Sequence, residues 1–312
     1  MKRLIATTLA ALTAATVLVG CSADATNSAS ANETQIFQSA FGEAEIPSNP
    51  QRIVIVQANF LDLALAIDLA PVGSTYWGGA GGIQDYLQED APENMEVVGN
   101  DDEPNFEAIA NLNPDLIIGD EAVEENLEKF EAIAPVAAIE SRNAEGSNSW
   151  RDQLTALAEI TGREDRAAEV IKEADESIEQ LDANIDEPGQ RTMLLRIRDD
   201  QVRQYLPDSF AGAGVPQRLQ NIELVESAVP SENGEWSVIP PENIGLLDAD
   251  RIIAFVDSPA ALEAAENNPL WNTLPAVEND QLCISENLTP WILTGPSAAS
   301  IVTSDLEECF SA

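Results

Sequence analysis

The sequence contains no histidine, and its aromatic residues are few. None of the 312 residues is His, and Phe, Trp and Tyr together make up 5%. Without histidine the chain has no Ser-His-Asp or Cys-His catalysis and no axial imidazole for haem. It also lacks the commonest zinc ligand, so we do not expect a site for free zinc or manganese.

Positive charge is scarce as well. The chain has 15 Lys and Arg residues against 55 Asp and Glu residues, which gives a formal charge of −40 at pH 7. Such a surface repels phosphate backbones, so a nucleic-acid partner is excluded. Hydrophobic residues at 44% and charged residues at 22% are ordinary for a globular protein, and the length favours about two domains.

The first residues have the pattern of an export signal. Lys2 and Arg3 precede a mostly apolar run over residues 4–17, which is shorter than the ~20 residues of a membrane-spanning helix. Residues 18–21, Leu-Val-Gly-Cys, resemble a lipobox, in which Cys21 receives a diacylglyceryl group and becomes the first residue. We therefore predict a lipoprotein signal peptide over residues 1–21; the alternative is a plain signal peptide with a chance cysteine.

The next segment is poor in residues that could be buried. Residues 22–34 are rich in Ser, Ala, Asn and Thr, which predicts a flexible tether between the anchor and the folded body. No later segment is long and apolar enough to cross a membrane. We therefore expect an extracytoplasmic protein of the cell envelope, lipid-anchored to the outer face of the cytoplasmic membrane.

Two cysteines remain if Cys21 is acylated. Cys283 and Cys309 would then form a pair in a compartment where disulfides persist. A bridge between them would close a loop of about 25 residues and contribute roughly 3 kcal/mol in the chain-entropy model. Two free buried thiols are the alternative.

From residue 46 onward, short β-branched runs alternate with helical patterns. The runs at 53–56 and 115–119 are typical of buried strands, and the alternation favours right-handed βαβ units with a mainly parallel sheet. The pattern restarts after Pro188-Gly189. There we predict a hairpin of strands over 192–197 and 202–205, further strands over 250–256 and 281–285, and a closing helix over 298–310.

One long helix separates the two αβ regions. Between Arg163 and Ile185, apolar residues recur at spacings of three and four, and acidic residues occupy the other face. About 23 residues at 1.5 Å each would span ~34 Å. We therefore predict an α/β protein with two mainly parallel-sheet lobes, over residues 35–162 and 188–312, joined by an interlobe helix over 163–187.

Several motifs follow one another in an order that resembles a known family. The motifs are Pro-Gln-Arg-Ile-Val at 50–54, Asn-Phe-Glu-Ala-Ile at 105–109, Asn-Pro-Asp-Leu-Ile-Ile at 113–118, Leu-Leu-Asp-Ala-Asp at 246–250 and Asn-Pro-Leu-Trp at 268–271. The whole set resembles the iron–siderophore substrate-binding proteins of ABC transporters, which have the class III, helical-backbone fold of periplasmic binding proteins. The resemblance covers roughly residues 35–312, and it rests on the order of the motifs and the preceding lipobox.

The resemblance implies a ligand cleft between the lobes with a rigid helix behind it. It implies capture of a ferric siderophore outside the cell and delivery to an ABC permease, by a monomer without a cofactor or metal site, since the siderophore holds the iron. In this family a glutamate at the tip of each lobe meets permease arginines, and Glu107 and Glu242 match those positions. The alternative is that both are ordinary solvated carboxylates among the 55 acidic residues.

Arginines are concentrated where the second lobe begins. Strand alternation places Arg196 and Arg198 on one face, and Arg203 returns on the partner strand two residues before Tyr205. Ferric catecholate and carboxylate complexes are anionic, and guanidinium groups match their delocalised oxygens. The alternative is that these arginines pair with surplus acids inside the protein, which is the role we expect for Arg191.

The few aromatic residues provide further candidates. Tyr76 and Trp77 follow the second strand, at the end where open αβ sheets bind ligands, whereas Trp150 and Trp271 are expected to be packing residues. Aromatic faces at the rim of a cleft stack on flat ligands. The predicted ligand-binding set is Tyr76, Trp77, Arg196, Arg198, Arg203, Tyr205, Trp236 and Trp291.

The sequence alone leaves other functions open. Cobalamin or ferric citrate would suit the same fold. An extracytoplasmic hydrolase is the alternative from another class, but the sequence contains neither Gly-x-Ser-x-Gly nor His-Glu-x-x-His. We therefore expect a binding protein and not an enzyme.

The charge excess leads to a prediction about salt. We expect the melting temperature to rise when salt is added to a low-salt buffer, because surface carboxylates repel one another less as the Debye length falls from ~10 Å at 0.1 M to ~3 Å at 1 M. Circular dichroism during heating, at increasing NaCl concentration, measures this. A melting temperature that is flat from low to molar salt would contradict it.

Overall fold

The structure, a computed structural model, describes residues 33–141, 149–186 and 188–311. The predicted signal peptide, Cys21 and most of the predicted tether lie outside the described residues. Thr34, the last residue of the predicted tether, begins an antiparallel hairpin of strands β1 (Thr34–Ser39) and β2 (Gly42–Pro47).

Five parallel strands form the sheet of the first lobe. They are β3 (Ile53–Ile55), β4 (Gly73–Tyr76), β5 (Glu96–Asn100), β6 (Leu116–Gly119) and β7 (Val136–Ala138). Their hydrogen-bonded order is β5-β4-β3-β6-β7. Every residue of β3 and β6 is buried, as expected for central strands that helices cover on both faces.

Helices connect these strands and lead out of the lobe. They are α1 (Asn59–Ala66), α2 (Phe106–Asn111), α3 (Leu127–Glu131) and α4 (Trp150–Thr161). Helix α4 ends at Gly162, whose φ of 66° is in the left-handed region that glycine adopts without strain.

The longest helix follows directly. Helix α5 (Glu164–Ala183) has 20 residues, which corresponds to ~30 Å, and it connects the first sheet to the second. Ala167, Val170, Ile178 and Leu181 form its buried stripe, and acidic residues cover the exposed face. The predicted interlobe helix over 163–187 therefore contains α5.

The second lobe contains a six-stranded mixed sheet. Its order is β11-β9-β8-β12-β13, with β10 paired to β8. Among the described strands of this sheet, β9 alone runs against the others, antiparallel to both β8 and β11. The predicted hairpin is confirmed as β8 and β9. The strands are β8 (Gln190–Ile197), β9 (Val202–Tyr205), β10 (Ile222–Leu224), β11 (Trp236–Ile239), β12 (Arg251–Val256) and β13 (Leu282–Ser285).

Four helices complete this lobe. The last of them is the predicted closing helix, which begins two residues earlier than the sequence pattern indicates. They are α6 (Pro259–Glu266), α7 (Pro275–Glu278), α8 (Leu288–Ile292) and α9 (Pro296–Ser311). The predicted class, two αβ lobes joined by a long helix, is confirmed. No helix within the described ranges combines the length and apolarity needed to cross a bilayer.

One apolar core extends through both lobes. Ile55 of β3 and Phe60 of α1 belong to the same buried cluster as Phe255 of β12 and Leu306 of α9. Helix α9 packs against both α1 and α5. The lobes are therefore held together by packing as well as by the connecting helix.

Asp62 joins the lobes through a buried carboxylate. It lies on α1 without exposed surface, and its two carboxylate oxygens accept the backbone N–H groups of Ser297 and Ala298, each at 3.0 Å. Those N–H groups belong to the first turn of α9, where the helix dipole favours an anion. A Cβ at Gly295 would collide with the Asp62 carboxyl group, so this close approach requires glycine.

The other end of α9 is also anchored. Cys283 of β13 and Cys309 of α9 form the predicted disulfide, with their Cα atoms 5.6 Å apart. The guanidinium group of Arg251 donates a hydrogen bond to the carbonyl of Cys309 and lies 5.0 Å from the ring centroid of Phe310. Helix α9 is thus fixed to the first lobe at its start and to the second lobe at its end.

The burial of Asp62 gives a pH-dependent stability. Burial raises the pKa of Asp62 to about 6, although the N–H donors of α9 act in the opposite direction. The folded state therefore binds more protons than the unfolded state between about pH 4 and pH 6. The contribution of this group to the free energy of unfolding is greatest below that window and falls as the pH rises through it.

We expect the difference in the free energy of unfolding between the wild type and Asp62→Asn to fall by ~1 kcal/mol from pH 5 to pH 7. The whole shift in the pKa of Asp62 corresponds to ~3 kcal/mol, and only part of it acts in this window. The asparagine variant is the control because it does not titrate in this range, and its amide oxygen still accepts one of the two hydrogen bonds from α9. Urea unfolding followed by circular dichroism measures both proteins. A difference that does not change with pH would show that Asp62 does not titrate in this range.

Candidate ligand-binding cleft between the lobes

The carboxyl ends of the two sheets face each other. Trp77 follows the last residue of β4 in the first lobe, and Arg196 lies near the end of β8 in the second. The Arg196 guanidinium group lies 5.9 Å from the ring centroid of Trp77. Because ligands bind at the carboxyl ends of strands in open αβ sheets, this is the expected place for a binding cleft.

Strand register brings four of the predicted ligand residues onto one face. Arg196 lies opposite Arg203 in the β8–β9 pair, and Tyr205 lies opposite Trp236 in the β9–β11 pair. Residues two apart on a strand share a face, so these side chains point to the same side of the sheet. We call Arg196, Arg203, Tyr205 and Trp236 the C-lobe cluster.

Aromatic contacts connect this cluster to the core. The ring of Tyr205 lies 5.7 Å from that of Trp236 and 5.4 Å from that of Phe255, centroid to centroid. Burial raises the pKa of Tyr205, which is therefore protonated at neutral pH. Rings at these distances hold each other in place. Trp236 remains partly exposed, and its role as a ligand residue stays a prediction.

The prediction for Trp291 is wrong. Its side chain has no exposed surface, its ring stacks on Phe255 at 5.3 Å, and its indole N–H donates to Asp305 Oδ2 at 2.8 Å. Although Trp291 follows the last strand, it lies on α8, which turns the ring inward between β12 and α9. Trp150 and Trp271 are buried, as expected of packing residues.

The three arginines of the cleft differ in their partners. Arg196, which is 6% exposed, donates to both carboxylate oxygens of Asp257, at 2.7 and 3.2 Å. Arg198 pairs with Asp200 at 3.1 Å and lies 3.8 Å from Asp257. Both therefore take part in the internal salt bridges that the sequence left as an alternative, and Asp257 holds Arg196 in a fixed orientation.

Arg203 has no such partner. Among the described residues it forms no ion pair, and its Nε atom is buried without a hydrogen bond. Its guanidinium carbon lies 4.7 Å from the ring centroid of Trp236, a cation–π geometry. Burial lowers the pKa of Arg203, and the charges of Arg198 and Arg196 lower it further, while the charge of Asp200 acts in the opposite direction. Arg191, in contrast, pairs with Asp248 at 3.1 Å.

Sequence reasoning missed one member of the same surface. Val238 lies directly opposite Arg203 in the β9–β11 register, and 46% of its side chain is exposed. It shares a face with Trp236, so strand alternation from Trp236 could have identified it. An exposed apolar residue next to an unpaired guanidinium group gives the surface both an apolar and a charged element.

The first lobe contributes acidic groups that the sequence analysis also missed. Asp101 follows β5 and accepts hydrogen bonds from the Ala58 N–H and the Thr75 hydroxyl, and Asp120 follows β6. Burial raises the pKa of Asp101 and of Asp120 to about 6, and the Asp120 charge adds to the shift at Asp101. The strand ends of the first lobe are therefore acidic, whereas those of the second lobe carry the arginines.

The remaining predicted residues lie at separate places. Tyr76 ends β4 and is partly buried, and its role as a ligand residue stays a prediction. Glu107, in the first turn of α2, and Glu242, in a short 3₁₀ turn at 241–246, are both exposed, one on each lobe. Across residues 33–141, 149–186 and 188–311, no three His, Cys, Asp or Glu side chains form a group that could hold a metal ion.

Comparison with known proteins identifies the family. A family model described as "Periplasmic binding protein" matches residues 63–286, which is more than two thirds of the chain. The chain belongs to the periplasmic binding protein family. This periplasmic binding protein is therefore a substrate-binding protein and not an enzyme.

Individual relatives are similar over nearly the whole chain. The probable siderophore-binding lipoprotein YfiY of Bacillus subtilis is 29% identical, with 99% of each chain covered. The Fe(3+)-citrate-binding protein YfmC of the same organism is 26% identical over 90% of this chain and 89% of its own. These alignments reach beyond residues 63–286, so the similarity includes the ends of both lobes.

Solved structures show the same fold. The complex of Staphylococcus aureus SirA with staphyloferrin B aligns with a TM-score of 0.71 at 22% identity, over 89% of this chain and 99% of that chain. The petrobactin-binding protein YclQ of Bacillus subtilis aligns with a TM-score of 0.75 at 17% identity, over 90% and 99%. At these identities the alignments establish the two-lobed architecture.

Proposed function

We propose that this periplasmic binding protein is the extracytoplasmic component of an ABC importer and that it captures a ferric siderophore in the cleft between its lobes. The observation that carries the proposal is the guanidinium group of Arg203, which lies on the ring of Trp236 at the cleft and forms no ion pair among the described residues. In a chain with a formal charge of −40, a partly buried cation whose Nε atom has no hydrogen-bond partner in the described part of the chain is best explained by an anionic ligand.

The chemistry of the C-lobe cluster suits such a ligand. A planar guanidinium group donates to pairs of oxygen atoms, and ferric catecholate and carboxylate complexes present such pairs on their surface. Trp77, Trp236 and Val238 supply apolar faces on both sides of the cleft. The names of the relatives, which refer to siderophores and to ferric citrate, support the same class of ligand.

Ferric citrate is a second candidate. The relatives named for it include YfmC and the Fe(3+) dicitrate-binding periplasmic protein FecB of Escherichia coli, which is 23% identical over 88% of this chain. Titration of the purified protein with a panel of ferric complexes, followed by tryptophan fluorescence, distinguishes the candidates. Turnover of an added substrate, or no binding of any ferric complex, would contradict the proposal.

The anchoring and assembly of the protein belong to the same proposal. Cys21 would carry the lipid that holds the protein at the outer face of the cytoplasmic membrane, as a monomer. Glu107 and Glu242 would dock onto arginines of the permease, one at each lobe. Their exposure and their positions on opposite lobes support this role.

We expect Arg203→Ala to weaken binding of the ferric ligand by ~10–100-fold, since a hydrogen bond to a charged group contributes ~1.5–3 kcal/mol. Arg203→Lys should recover only part of the loss, because an ammonium group lacks the planar pair of donors. Arg191→Ala is the matched control, since it removes an arginine of the same sheet that pairs with Asp248. If the Arg203 and Arg191 variants bind the ligand with equal affinity, Arg203 does not contribute to the binding site.

We expect the double variant Glu107→Gln and Glu242→Gln to lose uptake while it keeps its affinity for the ligand, because the docking carboxylates lie outside the cleft. Uptake of ⁵⁵Fe-labelled complex by cells measures the first quantity, and fluorescence titration measures the second. A variant with two other exposed acids changed, Glu89→Gln and Glu263→Gln, controls for the loss of charge. Normal uptake by the docking variant would end this assignment.

A further inference from the structure

The segment that follows β4 is rich in glycine. Residues 77–82 are Trp-Gly-Gly-Ala-Gly-Gly, so four of the five residues after Trp77 have no side chain. The segment leaves the first sheet at its carboxyl end, where the cleft lies, and residues 78–81 are exposed. Neither the C-lobe cluster nor the proposed docking glutamates explain why this part of the cleft wall carries so few side chains.

The first four of these residues form a closed turn. The N–H of Ala80 donates to the carbonyl of Trp77 at 2.8 Å, which is the hydrogen bond of a β-turn. Just before the turn, the N–H of Asp101 donates to the carbonyl of Tyr76 at 3.0 Å and ties the chain to the end of β5. The backbone of Trp77 is therefore held in place on both sides.

The indole ring of Trp77 folds back over Gly79 within this turn. A Cβ atom at Gly79 would lie 2.2 Å from Trp77 Cη2 and 2.5 Å from both Cζ2 and Cζ3, the far end of the ring. The φ of Gly79 is outside the left-handed region, so the backbone conformation does not itself require glycine. Because carbon atoms pack at ~3.5–4.0 Å, any side chain at this position would push the ring away by at least ~1 Å.

The same ring forms part of the cleft wall. Its centroid lies 5.9 Å from the guanidinium group of Arg196, and among the cation–π pairs of the described residues this one alone joins the two lobes. Cation–π attraction acts within ~6 Å of a ring centroid, so a ring displaced from Gly79 changes this contact. The shape of the first-lobe wall therefore depends on the residue at position 79.

We propose that Gly79 is a positioning residue for ligand binding: it leaves room for the indole ring and thereby fixes the face of Trp77 that the cleft presents to the ferric complex. The inference rests on the proposed function and goes beyond it, since it assigns the orientation of one cleft wall to a turn that does not itself touch the ligand. Aromatic contacts depend on the angle and offset of the ring, so a displaced ring binds the same ligand less well.

Fluorine NMR of fluorotryptophan-labelled protein tests the position of the ring. The chain has five tryptophans, and Trp77→Phe identifies the resonance of Trp77. We expect Gly79→Ala to shift this resonance and to leave those of the three buried tryptophans unchanged, which also shows that the fold is intact. Gly82→Ala is the matched control, because a Cβ there meets nothing within 4 Å and its φ is likewise not positive. An unmoved Trp77 resonance in Gly79→Ala would overturn the proposal.

Fluorescence titration tests the consequence for binding. The probe is whichever of ferric citrate, a ferric tris-catecholate and a ferric hydroxamate binds the wild type most tightly. We expect Gly79→Ala to bind it ~2–10-fold more weakly and Gly82→Ala to bind it as the wild type does. In a Trp77→Ala background, which has no ring to displace, Gly79→Ala should cause no further loss.

Three binding results contradict the positioning role while the proposed function stands. They are an affinity of Gly79→Ala at or above that of the wild type, an equal loss in Gly82→Ala, and a loss that persists undiminished without the Trp77 ring, which would show that the turn backbone is responsible. If the wild type binds none of the three probes, both the positioning role and the proposed function are overturned.

Discussion

The hydrogen bonds between Asp62 and the first turn of α9 determine how the two lobes face each other. They connect a helix of the first lobe to a helix whose other end is bonded to the second lobe through Cys283–Cys309. Helix α9 therefore acts as a second connector beside α5, against which it packs. Because two helices span the lobes and share an apolar core with them, we expect the width of the cleft to change only slightly. The distance between Trp77 and the C-lobe cluster depends on this arrangement.

The electrostatics of the cleft differ from those of the surface. The chain as a whole is strongly acidic, yet among the described residues the three arginines at the ends of β8 and β9 form ion pairs with only two carboxylates. Asp257 keeps Arg196 in place, and Arg203 has no ion-pair partner in the described part of the chain. Across the cleft, the strand ends of the first lobe carry Asp101 and Asp120. The strand ends of the two lobes therefore carry groups of opposite charge.

Much of the architecture could be predicted because it depends on local patterns. The alternation of strands and helices, the long amphipathic helix and the β8–β9 hairpin each follow from spacings within ten or twenty residues. The resemblance to a family, which rests on short motifs in order, was also confirmed. The cysteine pair could be identified because only two cysteines remain after residue 21.

The sequence by itself determined the fold class, the lobes, and which face of the second sheet carries arginine and aromatic residues. Only the tertiary structure decided that Trp291 is buried and that Asp62 caps α9. It also decided that Asp257 pairs with Arg196, while Arg203 forms no ion pair with any described residue. The physical reason is the long separation in sequence between the residues that interact. Asp257 is 61 positions from Arg196, and Asp62 is 235 positions from Ser297. A periodic pattern fixes the direction of a side chain along its own strand or helix, but its partner is set by elements that pack against it from elsewhere in the chain.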